Sequence, residues 1–341
     1  MKKHSLIAID LAKTVFQICL MTNHKVVKNK AVHRGKLLAY IAQQPATQIY
    51  MEACYSSHYW AREFQALGHQ VFLIPAQHVT PFVRGNKNDH NDALAISEAS
   101  QRPGLKFVPI KTVDQQDMQS LHRIRERKVT QRTGLVNQTR GLLSEYGLIA
   151  PEHLPAFNRL LLKCTEENVP QVTPVLREQL WIIREEFQWL SDRIEDLNDK
   201  LRKLAKENPL SRRVMTVPGI GYTIATALIS AIGRGEQFQS GRELAVWLGI
   251  TPRQHASGTT SKLGGITKRG DRYLRKQLIH GARAALFRCK NPDDQMIAWA
   301  RDLAKRRGPN KATVALASRM SRLAWVLLQT EQDYRPNPTG Q

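Results

Sequence analysis

The spacing of apolar and polar positions changes period several times in the first hundred residues. SLIAID (5–10) and VFQICLM (15–21) are compact apolar runs of strand length, and VVKNKAV (26–32) alternates apolar with polar residues as a half-buried strand does. RGKLLAYIAQQ (34–44) shows helical spacing, QIYMEA (48–53) returns to a strand, and HYWAREFQALG (58–68) is a helix that stops at Gly68. HQVFLIP (69–75) predicts a fifth strand, and DALAISEAS (92–100) falls in another helix. Strands on short connections form an antiparallel meander, whereas strands separated by helices pair in parallel. The pattern predicts an α/β domain over residues 1–150.

Beyond it the period is helical. Residues 115–147 predict one long helix bearing Arg123, Arg125, Arg127, Lys128 and Arg132, a cluster that suits a solvated face or a polyanion equally. In 176–204, Leu176, Leu180, Ile183, Phe187, Leu190, Ile194, Leu197, Leu201 and Leu204 follow one another at alternating steps of four and three. Such a seam predicts a coiled-coil region over 151–208, antiparallel within the chain or shared between protomers, although a bundle helix shows the same spacing. Its charges nearly cancel, which points to a protein neighbour. VPGIGYTIATALIS (217–230) looks like the turn and second helix of a helix-hairpin-helix, whose backbone amides at Gly219 and Gly221 would face phosphate. A tight interhelical turn asks for glycine just as strongly. TPRQHASGTTSKLGGITKRG (251–270) reads as a Gly-, Ser- and Thr-rich loop, followed by helices over 271–289, 294–307 and 310–329. Residues 209–341 thus form a mostly α-helical third domain.

Charge changes the picture next. Lys and Arg number 51 against 29 Asp and Glu, a formal net charge of +22. Residues 209–341 alone carry 22 bases and 8 acids. Such an excess favours a polyanionic partner, nucleic acid first. A membrane surface is the other polyanion, but no long apolar run and no signal peptide appear, so membrane insertion is not expected. Arg123, Arg127, Lys128, Arg253, Lys262, Lys268, Arg269, Arg272, Arg275 and Lys276 are candidate phosphate contacts. Cys19, Cys54, Cys164 and Cys289 form no CxxC pair, so neither a zinc site nor a disulfide framework is expected, and a reducing cytoplasm fits.

Four acids stand where α/β sheets place chemistry. Asp10 ends the first strand and Glu52 the fourth, while Asp89 and Asp92 sit three residues apart in KNDHNDALA, on one face of a starting helix. Singly, each has a plainer reading: a strand-end turn for Asp10, dipole complementation for the pair. If strands one and four are neighbours, the four carboxylates converge and repel unless a cation intervenes. Mg²⁺ is the natural guest, and two ions roughly 4 Å apart would clamp the attacking and leaving oxygens of a phosphodiester.

AIDLAKTVFQI, IYMEACYSSHYWAREFQALGH and GNKNDHNDALAI resemble the DEDD transposases of certain bacterial insertion sequences, which are similar to pilin-gene invertases. VMTVPGIGYTIATALISAIG, FQSGRELAVWLGITPRQHASG and TKRGDRYLRKQLIHGARAAL resemble the second conserved domain of that family. The resemblance implies an RNase H-like (RuvC-like) N-terminal domain whose DEDD set falls on Asp10, Glu52, Asp89 and Asp92. It departs in one place: EACYSS stands where the family often has Gly soon after the Glu. It further implies a serine nucleophile in a Ser-Gly motif, here Ser257 in HASGTT, joined covalently to DNA. Gly258 would let backbone approach phosphate closely. On residue type alone Thr259, Thr260 and Ser261 are as good as Ser257, and His255 suits a base or a phosphate contact. The same resemblance implies donor and target DNA as substrates and a structured non-coding bridge RNA whose loops pair with them. It implies a homo-oligomer, dimer or tetramer, that acts on nucleoid DNA and builds each site from the acids of one protomer and the serine of another.

Two rival classes share these residues. A RuvC-like junction resolvase or nuclease would use the carboxylates with water and need no serine. A non-catalytic nucleic-acid-binding protein would use the acids only as caps and turns.

Overall fold

The computed structural model describes residues 6–83, 88–257 and 260–336. The chain divides into two compact units, Met1–Thr112 and Val113–Gln341.

The first unit is a five-stranded mixed sheet with helices on both faces. Strands β1 (Leu6–Asp10), β2 (Val15–Thr22) and β3 (Lys25–His33) form the predicted meander, and β4 (Gln48–Glu52) and β5 (Gln70–Ile74) extend it in the order β3-β2-β1-β4-β5. β1 pairs antiparallel with β2 and parallel with β4, and β4 pairs parallel with β5. The two-residue turn between β2 and β3 places Asn23 and His24 at φ 48° and 61°, the left-handed pair that matches hairpin twist. Helices α1 (Arg34–Ala42) and α2 (Ser57–Ala66) cover one face, burying Leu37, Ile41, Trp60 and Phe64 on Ile7, Ile9, Ile49 and Met51. A single helical turn, α3 (Ala76–Val79), leads toward α4 (Asp89–Ser100), which packs Ala93 and Ile96 on Ala8, Cys19 and Tyr50 of the opposite face.

Among the described residues the second unit is helical apart from one hairpin. α5 (Val113–Ser144), α6 (Leu154–Glu166) and α7 (Pro174–Glu207) bury a shared cluster that includes Leu135, Leu143, Phe157, Leu161, Leu180 and Phe187. Arg125 Nε donates to Asn198 Oδ1 at 2.6 Å and Arg132 Nη1 to Ser191 Oγ at 3.3 Å, so α5 and α7 run antiparallel. The predicted seam is consumed here: seven of its nine residues are buried within the chain, and Ile183 and Leu204 pack at the cluster edges. Of the arrangements the seam allowed, the described residues show the antiparallel pairing within the chain. The long basic helix belongs with this unit, and the compact division falls at 112/113.

α8 (Pro209–Met215), α9 (Tyr222–Ile232) and α10 (Gly241–Trp247) precede the antiparallel hairpin of β6 (Pro252–Ser257) and β7 (Thr260–Ile266). α11 (Arg272–Arg288), α12 (Gln295–Arg307) and α13 (Pro309–Thr330) complete a core in which Leu228, Leu244, Leu278, Ile297, Leu316 and Met320 are fully covered. The hairpin replaces the loop expected over 251–270. No described helix is long and apolar enough to cross a membrane.

Candidate active site

β1 and β4 run in register from Leu6 opposite Gln48 to Ile9 opposite Met51, so Asp10 and Glu52 stand side by side where both strands end. Side chains alternate across a strand. Ala8 and Tyr50 point to the α4 face, so Asp10 and Glu52, two residues further on, point there as well. α4 presents Asp89 and Asp92 in its first turn, where the helix dipole favours negative charge. Asn88 caps that turn, its side chain accepting the Asn91 amide at 2.8 Å. β2 and β3 hold the turn from the side. Gln17, the residue opposite Asp10 in β2, donates through Nε2 to Asn29 Oδ1 at 2.5 Å, and Asn29 Nδ2 donates to the His90 carbonyl at 3.1 Å. At the other end of α4, His24 Nδ1 lies 2.6 Å from Gln101 Oε1.

The outcome is one carboxylate oxygen each from Asp10, Asp89 and Asp92, all within 4.8 Å of one another. Two unit charges at that separation repel by about 3 kcal/mol at an effective dielectric of 20. At Asp10, burial, then Asp92, Asp89 and Glu52, push the carboxyl up to about 6 against the pull of the Leu11 amide. Glu52 thus acts on Asp10 electrostatically while standing outside the close trio. An all-oxygen, multiply negative donor set fits a hard divalent cation. Cys54, close by, is pushed up to about 11 by burial and by Glu52 and Asp10, so its thiol stays protonated and is no nucleophile at neutral pH.

In the second unit Ser257 is exposed at the end of β6, opposite Thr260. Strand alternation and register put His255 and Lys262 on the same hairpin face as Ser257. Gly258 and Thr259 lie outside the described residues, as do the side chains of Thr260 and Ser261. Arg123, Arg127, Arg253, Lys262, Lys268, Arg269 and Arg272 are exposed, as phosphate contacts must be.

Other candidates are committed to the fold. Arg275 donates to the Leu248 and Gly270 carbonyls at 3.3 and 3.0 Å, and Lys276 pairs with Glu126. Lys128 rests 4.2 Å over the Trp189 ring. Gly219, at φ 89°, backs onto α11: a Cβ there would meet the Gly281 carbonyl oxygen at 2.6 Å. Its glycine is demanded by that approach. Gly221 caps α9, is exposed, and has open space around it.

Gln17 and Asn29 were invisible to sequence reasoning because their roles come from cross-strand register. Asn88 carried a signal, an Asx residue directly before the helix.

Comparison with known proteins bears on both units. Residues 7–148 match the DEDD transposase model described as "Transposase", and residues 211–297 match that of the transposase IS116/IS110/IS902 family. The chain is 43% identical to a probable family 20 transposase of Pseudomonas aeruginosa, over 97% of this chain and 99% of that protein. It is 40% identical to the transposase for insertion sequence element IS1111A of Coxiella burnetii, over 98% and 92%. A pilin gene-inverting protein of Moraxella bovis is 38% identical over 94 residues, 26% of this chain and 29% of that one.

Proposed function

We infer the reaction from one premise: this chain belongs to the IS116/IS110/IS902 family of transposases, and it is a DNA transposase. The observation that carries the reading is the gathering of Asp10, Asp89 and Asp92 oxygens within 4.8 Å beside Glu52. In our reading the first unit is an RNase H-like catalytic domain, and these four carboxylates hold Mg²⁺, two ions in the full complex. Bound there, Mg²⁺ would supply Lewis-acid stabilisation of charge on a phosphodiester. The chain's part is to fix the donors: the sheet sets Asp10 and Glu52, and the Asn88 cap with the Gln17–Asn29 link sets Asp89 and Asp92. Ser257 is the nucleophile. Its Oγ bonds to phosphorus as one phosphorus–oxygen bond to deoxyribose breaks, and the hydroxyl proton ends on the departing oxygen. The resulting phosphoserine keeps the bond energy for rejoining. Exposure of Ser257 on a hairpin face shared with Lys262 supports this role.

Sequence choice in this proposal rests with a bridge RNA paired to donor and target DNA, while basic side chains read backbone and shape. The enzyme works in the cytoplasm on nucleoid DNA as a homo-oligomer, dimer or tetramer. An apolar stripe on the outer side of α7 supports association: Val175, Ile182 and Trp189 recur every seven residues, with Trp181 beside them, and all four are more than half exposed.

Three measurements test the reading. Asp89→Asn abolishes transposition in cells if the carboxylates are catalytic; unchanged activity makes them mere caps. A covalent protein–DNA adduct, trapped with nicked or suicide DNA, disappears in Ser257→Ala. Cutting without any adduct would instead favour a water-using nuclease. Purified protein recombines DNA only when its flanking non-coding RNA is added; equal reaction without RNA removes the guide from the scheme.

A further inference from the structure

A groove of about 990 Å³ lies in the second unit, away from the Ser257 hairpin in sequence and unused by the reaction above. Its walls are the start of α10, one face of α13 and the chain segment 332–336. The walls are firmly set. A Cβ on Gly241 would meet the Arg322 carbonyl oxygen at 2.6 Å, so α10 sits directly on the α13 backbone. The Tyr334 hydroxyl donates to the Asp294 carboxylate, 2.9 and 3.0 Å from its two oxygens, and the Tyr334 amide donates to Thr216 Oγ1 at 2.9 Å. Asp294 is 1% exposed and also caps α12, so the terminal segment is tied into the core.

Four arginines line this groove, Arg242, Arg319, Arg322 and Arg335, against the one exposed lining acid among the described residues, Asp333. None of the four forms an ion pair among the described residues; Arg319 rests 4.9 Å over the Trp299 ring, and Arg322 Nε is buried with no hydrogen-bond partner. Two half-buried aromatic rings, Trp325 and Tyr334, complete the lining. Trp325 is fixed by its Nε1 donating to the Gly235 carbonyl at 3.0 Å.

We propose that this groove binds single-stranded nucleic acid, with the arginines on successive phosphates and the rings against unpaired bases. Guanidiniums without carboxylate partners around fixed rings are the combination that backbone tracking and base stacking require. Duplex is disfavoured as the occupant because its base faces are already covered by neighbouring pairs. The groove also has the volume of a ligand pocket, far smaller than a duplex segment. RNA and DNA strands share the chemistry that the groove reads.

The test uses the full chain in EDTA, so it is independent of the carboxylate and serine proposals. Twelve-nucleotide single strands of RNA and of DNA carrying 5-bromouracil, and a DNA duplex of equal length, are photo-crosslinked and the adducts mapped by mass spectrometry. Crosslinks to Trp325 and Tyr334 from one or both single strands support the proposal and identify the strand type. Arg242→Gln with Arg335→Gln, both exposed, which spares the half-buried Arg319 and Arg322, lowers their yield at least tenfold. The same double variant flattens the salt dependence of binding by about 1.4 in log–log slope. Crosslinks that map elsewhere, an unchanged slope in the double variant, or equal crosslinking of these rings by duplex would overturn it.

Discussion

Replacing Asp10 by asparagine should make the metal-free enzyme more stable while abolishing its reaction. The carboxyl of Asp10 is lifted from 3.8 to about 6, chiefly by burial and then by Asp92, Asp89 and Glu52. A rise of that size corresponds to about 3 kcal/mol, which partial exposure of the group reduces to about 2. The direction follows from proton binding. Between pH 3.8 and 6 the folded state holds more protons on this group than the unfolded state does. Stability therefore falls as pH rises through that window, and the full cost is present at pH 7. Asparagine keeps the acceptor for the Leu11 amide and carries no charge. In EDTA at pH 7, hydrogen exchange of β1 and β4 amides should slow by about 2 kcal/mol of opening free energy, and thermal unfolding should rise by a few degrees. At pH 4 the gain should vanish. Added Mg²⁺ should raise the wild-type midpoint by linkage and leave the variant nearly unmoved. A variant no more stable than wild type at pH 7, or equally stabilised at both pH values, would refute the carboxylate-repulsion argument.

Other outcomes follow from the same geometry. His122 is 2% exposed, with its ring nitrogens 2.9 Å from Tyr273 Oη and Thr226 Oγ1, and burial ahead of Arg125 pushes it down to about 4. The unfolded chain binds the proton first, so the second unit gains about 3 kcal/mol as pH rises from 4 to 6.5, and urea titrations of His122→Gln should lose that slope. Phe187→Ala, in the buried α7 seam, should cost about 4 kcal/mol in urea unfolding, whereas Ile182→Glu with Trp189→Glu should leave stability within about 1 kcal/mol and shift the oligomer to smaller species in sedimentation. Asn29→Ala removes the link from Gln17 to the His90 carbonyl, so the Mg²⁺ midpoint of thermal stabilisation should rise several-fold while metal-free stability changes by about 1 kcal/mol.

How much of this was legible in the sequence depended on whether a residue's neighbour was local or distant. The sheet strands and the helices over 34–42, 57–66 and 89–100 follow from apolar period, and the placement of Asp10 beside Glu52 follows once β1 and β4 are neighbours. The α7 seam was equally legible as a buried face. Period says that a face is covered and not by what, so the same Leu and Phe positions served a coiled coil between protomers and an α5–α7 pair within one chain. The hairpin over 252–266 escaped because all six residues of β6 are exposed: with neither face buried there is no apolar alternation to read, only backbone pairing. Arg275 and Lys276 looked like phosphate clamps because charge is visible in sequence, while their partners, the Gly270 carbonyl and Glu126, are not.

The PGIG turn shows how far a motif can carry function. Its first glycine is explained without any ligand: Gly219 and Gly281 meet back to back, and a methyl group on either would strike the other's carbonyl oxygen. That contact lets α11 pass against the α8–α9 turn, burying Leu278 and Ala285 in the core. A phosphate reading therefore gains nothing from Gly219. Gly221 differs, because no neighbour crowds it and no side chain caps the helix it begins. The first amides of α9 are the ones that a helix leaves for an outside acceptor. Within one four-residue motif, packing accounts for one glycine and leaves the nucleic-acid question to the other.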